Sequence, residues 1–139
     1  MARIESYTLE QIGLTVHRVC GELQGHDLRR TGKRFYAQGV TPNVLWDFSG
    51  ADLTQIPSEE IIRIVGEVKA YAHSREGGRT AFVLTADVNF GLGRMVEMAS
   101  ESMDMPFVFR SFRSLEEAAA WLGIDPAAIC ALFQEKPSV

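Results

Sequence analysis

The chain has 139 residues, 46% of them hydrophobic and 23% charged, an ordinary globular composition that excludes a disordered chain. That length fits one domain, taken as residues 1–139, because single cores commonly hold about 100–150 residues. A net charge of −4 argues against a dedicated nucleic-acid binder, whose affinity would rest on a dominant positive field.

Residues 3–10 and 12–20 read as strands. In the second, Leu14, Val16 and Arg18 alternate with Thr15, His17 and Val19, the period of two that a sheet requires. Gln11-Ile12-Gly13 suits a turn between them, which predicts an antiparallel hairpin. Gly21 to Gly25 breaks the pattern, and Asp27 is placed to cap a helix running to about Ala37. Leu28, Thr31, Gly32 and Phe35 lie on its inner side; Arg29, Arg30, Lys33 and Arg34 form a basic outer side.

Asn43–Phe48 is short, apolar and closed by Ser49-Gly50, as a strand covered on both faces would be. The clearest helix spans 57–74. Pro57 begins it, Ser58 serves as its cap, and Ile61, Ile64, Val65, Val68 and Ala72 make an apolar stripe. Thr80–Thr85 is a second buried strand. Asp87 or Asn89 caps a third helix, with Leu92, Met95, Val96, Ala99 and Met103 on its core side. Pro106–Phe109 is a third buried strand. Ser114-Leu-Glu-Glu117 is a capping box, Gly123 stops that helix, and Asp125-Pro126 starts a short last one. Lys136–Val139 reads as a loose tail. Strands alternating with helices require parallel pairing through right-handed crossovers. The expected class is therefore α/β, with a mixed sheet of about five strands. An N-terminal hairpin leads into a parallel βαβαβ run, flanked by four to five helices.

Nucleophilic catalysis needs a Ser or Cys beside a base, and no Gly-x-Ser-x-Gly elbow occurs. His17, His26 and His73 have no metal-site spacing, and Cys20 and Cys130 are read as reduced, mostly buried thiols. There is no phosphate-binding Gly-x-x-x-x-Gly-Lys loop, and Gly91-Leu-Gly93 lacks the third glycine of a dinucleotide loop, since Val96 stands there. A phosphoacceptor site around Asp47 would need paired acids and a lysine after the last strand, where Arg110 stands instead. No catalytic residue, metal ligand or cofactor is assigned. Without an apolar leader or a membrane span, the expected location is the cytoplasm.

Open α/β sheets bind ligands at the carboxyl ends of their parallel strands. The candidate surface there comprises Asp47, Ser49, Asp52 and Ser58, then Asp87, Asn89, Phe90 and Arg94, then Arg110 with Ser111 and Arg113. Free amides near Phe90–Gly93, with Arg94 one turn on, would suit an anion. Ile62 and Met98 lie off the apolar stripes of their helices, which points to a homodimer or partner surface.

Several segments resemble a known family. Gly21-Glu-Leu, then Leu45-Trp-Asp-Phe-Ser-Gly50 before a helix, resemble the sulfate-transporter and anti-sigma-antagonist (STAS) domain. Gly78-Arg-Thr-Ala-Phe-Val-Leu, Phe90-Gly-Leu-Gly-Arg-Met95, Val108-Phe-Arg110 and Glu116-Glu-Ala with Trp121-Leu look like its bacterial SpoIIAA-like branch, itself described as related to CRAL-TRIO lipid-transfer domains. The resemblance implies a regulatory or binding role without enzymatic activity. It departs at the phospho-switch, an Asp-Ser-Ser-Gly motif whose place is taken by Thr54-Gln-Ile-Pro57, with Ser58 its only near neighbour. The expected function is protein–protein regulation without an evident phospho-serine switch, through an unidentified partner. The alternative is binding of a small hydrophobic or anionic, lipid-like ligand held by Arg94 and Arg110.

Overall fold

A computed structural model of the chain describes residues 2–135, 137 and 138. Five strands, β1 (Arg3–Leu9), β2 (Leu14–Glu22), β3 (Asn43–Asp52), β4 (Arg79–Val83) and β5 (Val108–Phe112), form one sheet in sequence order. β1 and β2 are antiparallel across a 3-10 turn at Glu10–Ile12, which Gly13 closes at φ 64°; the later pairings are parallel. The helices are α1 (Gly25–Gln38), α2 (Ser58–Val68, continued as 3-10 through Lys69–Arg75), α3 (Asp87–Ser102), α4 (Leu115–Leu122) and α5 (Pro126–Leu132).

Each parallel connection steps to the next strand in the same direction. Right-handed crossovers therefore stack α1, α2 and α3 on one face, leaving the other for α4 and α5. The alternation along each strand feeds two cores. Leu14, Val16, Leu45, Ala81 and Val83 meet Ala118, Leu122 and Ile129 of α4 and α5. Val19, Phe48, Phe82 and Leu84 meet Ile61 and Val65 of α2 and Val96 of α3.

The strand bounds differ from expectation throughout, β4 for example spanning Arg79–Val83 rather than 80–85. β3 runs through Ser49-Gly50 to Asp52, because β2–β3 pairing resumes past an irregularity at Arg18/Cys20 with Cys20 opposite Gly50. Gly50 lets the strands close there, since a Cβ on it would stand 3.2 Å from Cys20 Sγ; it does not terminate the strand. β2 likewise extends to Glu22. β5 starts two residues after Pro106, which has no N–H for the ladder, so Arg110 and Ser111 are strand residues.

The caps also differ. Gln24 is the N-cap of α1, and Asp27, at the third helical position, accepts Gln24 N–H at 2.9 Å. Pro57 rather than Ser58 is the N-cap of α2, and Ala86 rather than Asp87 or Asn89 that of α3. Ser114 and Asp125 do cap α4 and α5. Ser114→Ala is expected to cost about 1 kcal/mol by stranding the Glu117 amide, read as a lower urea midpoint at unchanged slope. Cys20 is half-buried and Cys130 exposed, not buried as expected; both are free. Of the expected tail, Lys136 and Val139 lie outside the described residues, while Ser138 N–H donates to the Ser6 carbonyl on β1 at 2.8 Å.

Candidate functional site

Between α1–α3 and the sheet lies an apolar chamber of about 140 Å³. Its floor is a row of aromatic rings across three strands: Trp46 to Phe48 at 5.5 Å, Phe48 to Phe82 at 5.9 Å, and Phe82 to Phe109 at 5.4 Å. Rings this large hold the helices off the sheet, and the roof does not fill the gap. Gly32 of α1 faces the chamber with no side chain, and a Cβ built on it would meet no heavy atom within 4 Å. Ile64 and Val68 of α2, half-buried, line the space on the other side. An engineered apolar cavity of about 150 Å³ takes up benzene, so this volume is that of one ring-sized molecule.

Two contacts between α1 and α2 bracket the roof. Arg29 donates to Glu60 at 2.7 Å and to Glu67 at 2.9 and 3.0 Å, which pulls the Glu67 carboxyl below its ordinary range. Farther along both helices, Tyr36 stacks on Tyr71 at 5.8 Å. The basic side of α1 is thus partly neutralised: Arg29 serves α2, and Arg30 pairs with Asp27 at 3.0 Å.

One end of the chamber is polar. Arg75, only 3% exposed, donates through Nε to the Thr41 carbonyl at 3.1 Å and through Nη2 to the Pro42 and Arg79 carbonyls at 3.0 and 3.1 Å. Its guanidinium lies 4.1 Å from the Phe107 ring centroid and 5.7 Å from that of Phe35. Burial lowers its pKa, against the support of the Tyr36 hydroxyl. Among the described residues, no carboxylate lies within ion-pair distance of it. Thr80 also lines the chamber; its hydroxyl is buried and has no hydrogen-bond partner. His17, fully buried against Trp46 and Phe35, is pushed down to about 3, first by burial and then by the Arg75 charge; its Nδ1 pairs with Ser6 Oγ at 2.8 Å. Arg75, Thr80 and His17 were not among the residues singled out from sequence.

The strand-end candidates divide into groups. Asp47, opposite Arg18 and Val83, points to the α4–α5 side and accepts the Ser49 amide at 3.0 Å and hydroxyl at 2.7 Å. Asp52 binds Thr54 the same way, at 2.9 and 2.6 Å, and these donors hold its pKa down. Asn89 reaches the Ala51 carbonyl at 3.4 Å while its own Oδ1, buried, has no partner. Asp87 pairs with Arg113 at 2.6 Å, and Arg113 covers Phe90 at 4.2 Å. Ser58 stands exposed at the start of α2.

Arg94 and Arg110 do not form the expected anion clamp. Arg94 lies on the outer side of α3, 3.5 Å from Glu97, whereas Arg110, opposite Ala81, reaches the opposite face and sits 5.6 Å from the Trp121 ring. The amides of Phe90–Gly93 are no anion site either. α3 starts at Asp87, so Phe90 N–H already donates to the Ala86 carbonyl at 2.9 Å. Gly93 serves packing: a Cβ there would fall 2.3 Å from Ser111 Oγ and 2.4 Å from Leu84 Cδ1. Among the described residues, no group of three or more His, Cys, Asp or Glu side chains is arranged to hold a metal ion. No helix there is long and apolar enough to cross a membrane.

No protein-family model matches the chain, and no curated protein matches it by sequence. Solved structures do match by shape. An anti-sigma factor antagonist from Mycobacterium paratuberculosis superposes with a TM-score of 0.55 at 14% identity, over 88% of this chain and 95% of that one. An uncharacterised protein from Shewanella loihica with a SpoIIAA-like fold gives 0.55 at 13% identity, over 87% and 93%. The anti-sigma factor antagonist SpoIIAA in its unphosphorylated form gives 0.51 at 16%, over 85% and 94%. The mixed five-stranded sheet with its five helices is thus the SpoIIAA-like, STAS-type fold.

Proposed function

We propose that this chain is a non-enzymatic, STAS-type regulatory module that works by contact with a protein partner and without a phospho-serine switch. Two of the proteins sharing its fold are anti-sigma factor antagonists, which supports a role played through another protein. The observation that carries the reading is an exposed rim where β3 and β4 pass into α2 and α3. Ser49, Ser58 and Asp87 stand in solvent there beside Val88, an apolar residue 60% exposed on the first turn of α3. Met98, 69% exposed, lies ten residues on and about 80° around the helix from Val88, so both fit one contact patch. The partner surface we assign comprises Ser49, Asp52, Ser58, Asp87, Phe90 and Arg94 with this patch; Asp47 and Arg110, on the far face, and the buried Asn89 fall outside it. A homodimer would use the same patch on a second copy. Two free thiols fit a reducing cytoplasm.

The double substitution Val88→Asp/Met98→Asp is expected to abolish partner capture, or dimerisation seen by light scattering, while stability changes by less than about 0.5 kcal/mol per site. Ser58→Asp is expected to leave binding within about threefold. A monomer that captures nothing sinks the reading; a tenfold effect of Ser58→Asp sinks the absence of a switch.

The chamber favours a second reading, a binder of one small apolar molecule. Its volume suits a ring-sized guest better than a long lipid chain.

A further inference from the structure

The second reading leaves the guest's chemistry open, and the polar end of the chamber narrows it. An apolar guest would need nothing there but more hydrocarbon. Instead the wall presents Arg75 and Thr80, both almost wholly removed from solvent. Thr80 Oγ1 has no hydrogen-bond partner, and such an orphan costs about 1–3 kcal/mol unless something bound satisfies it. It is not an accident of a crowded strand. Thr80 shares its face with Phe82 and Leu84, so its side chain stands on the chamber side of the sheet, with the hydroxyl itself buried. Arg75 brings a positive charge with no carboxylate within ion-pair distance among the described residues, offset by backbone carbonyls and two aromatic faces. Those carbonyl bonds engage Nε and Nη2, and the Tyr36 hydroxyl is a further hydrogen-bond partner of the guanidinium. His17, uncharged beside them, neither neutralises the guanidinium nor repels an anion.

Resting on the ligand-binding reading, we propose that the chamber takes a small carboxylic acid as its carboxylate. A ring-sized apolar body lies over the aromatic floor, and the carboxylate meets the Arg75 guanidinium and the Thr80 hydroxyl. A guanidinium and a hydroxyl on one chamber wall are donors that a carboxylate accepts, and charge-assisted bonds of this kind are strong in an apolar surround. The way in is the gap at Gly32 between the Arg29–Glu60/Glu67 and Tyr36–Tyr71 ties, where the roof carries no side chain.

The test is a titration of the full chain with benzoate and with toluene, which share the ring and differ in the head group. Benzoate is expected to bind at least tenfold more tightly than toluene. Thr80→Val, nearly isosteric, is expected to weaken benzoate about tenfold and toluene less than twofold. Gly32→Leu, built into open space, is expected to block both while leaving the circular dichroism spectrum unchanged. If toluene binds as well as benzoate, or Thr80→Val leaves benzoate binding intact, the carboxylate assignment is overturned and the ligand-binding reading survives. If neither compound binds the wild-type chain, both fail.

Discussion

Below pH 6.5 the folded state is expected to lose roughly 1.4 kcal/mol for each pH unit, and the residue responsible is His17. In the unfolded chain this imidazole takes up a proton at about its model value of 6.5; in the folded chain burial and the nearby Arg75 charge hold it off until about 3. Well above pH 6.5 both states leave the ring uncharged and the group contributes no pH dependence. As the pH falls through the interval, the unfolded state binds a proton that the folded state refuses, so stability falls with it. By pH 4 the loss reaches about 3 kcal/mol, a large share of the 5–15 kcal/mol typical of a domain. The carboxylates of Asp52 and Glu67, whose pKa values are lowered in the fold, add losses of the same sign, but only below their model values of 3.8 and 4.5. The window from about pH 4.5 to 6.5 therefore separates His17 from both. Urea midpoints measured across it should fall steadily in the wild type and much less in His17→Phe, which keeps a ring between Phe35 and Trp46 without a proton site. A wild-type midpoint that stays flat down to pH 5 would show that the ring can be protonated in place.

The sheet and its helices were legible because each depends on local pattern. The alternation Leu14–Val16–Arg18 against Thr15–His17–Val19 anticipates which side of β2 meets which helical layer. The Ser114 N-cap and the Asp125-Pro126 start both stand where the pattern puts them, although Glu117 takes the Ser114 hydroxyl and does not close the capping box. What escaped depends on partners distant in sequence. Gly50 looks like a terminator until β2 lies beside it and its missing Cβ becomes room for Cys20. Arg94 and Arg110 both follow apolar runs, yet β5 continues past Phe109 to Phe112, so that Arg110 is a strand residue facing the opposite side of the sheet from Phe109.

The chamber was the least legible feature. Its volume arises from an aromatic row spread over β3, β4 and β5 meeting a glycine on α1, a relation no single segment contains. Arg75 gave no cue because it ends a helix beside Glu76-Gly-Gly, where an exposed basic residue is ordinary. Its burial follows from the return of Thr41 and Pro42 to the foot of β3, 34 and 33 positions earlier in the chain.

That junction is also where one added methyl group should do most damage. A Cβ on Gly78 would stand 2.1 Å from the Pro42 carbonyl oxygen and 2.9 Å from that of Arg75, both backbone atoms that no side-chain rotation can move aside. The Pro42 oxygen already accepts from Arg79 N–H at 3.1 Å and from the Arg75 guanidinium at 3.0 Å, while the Gly78 carbonyl accepts Val108 N–H at 3.1 Å. Relief of the clash must therefore loosen the start of β4, the start of β5 and the polar end of the chamber together. Gly78→Ala is expected to cost about 3 kcal/mol, the upper end of what overpacking usually costs, and to lower Tm by about 10 °C. Gly77→Ala is the matched comparison. Its backbone sits at φ 79°, where a side chain is strained, but nothing lies within 4 Å of the added carbon, so it should cost only about 1 kcal/mol. Equal losses in the two variants would mean that strand-start geometry yields to the methyl group, and that Pro42 does not hold Arg75 rigidly in the chamber wall.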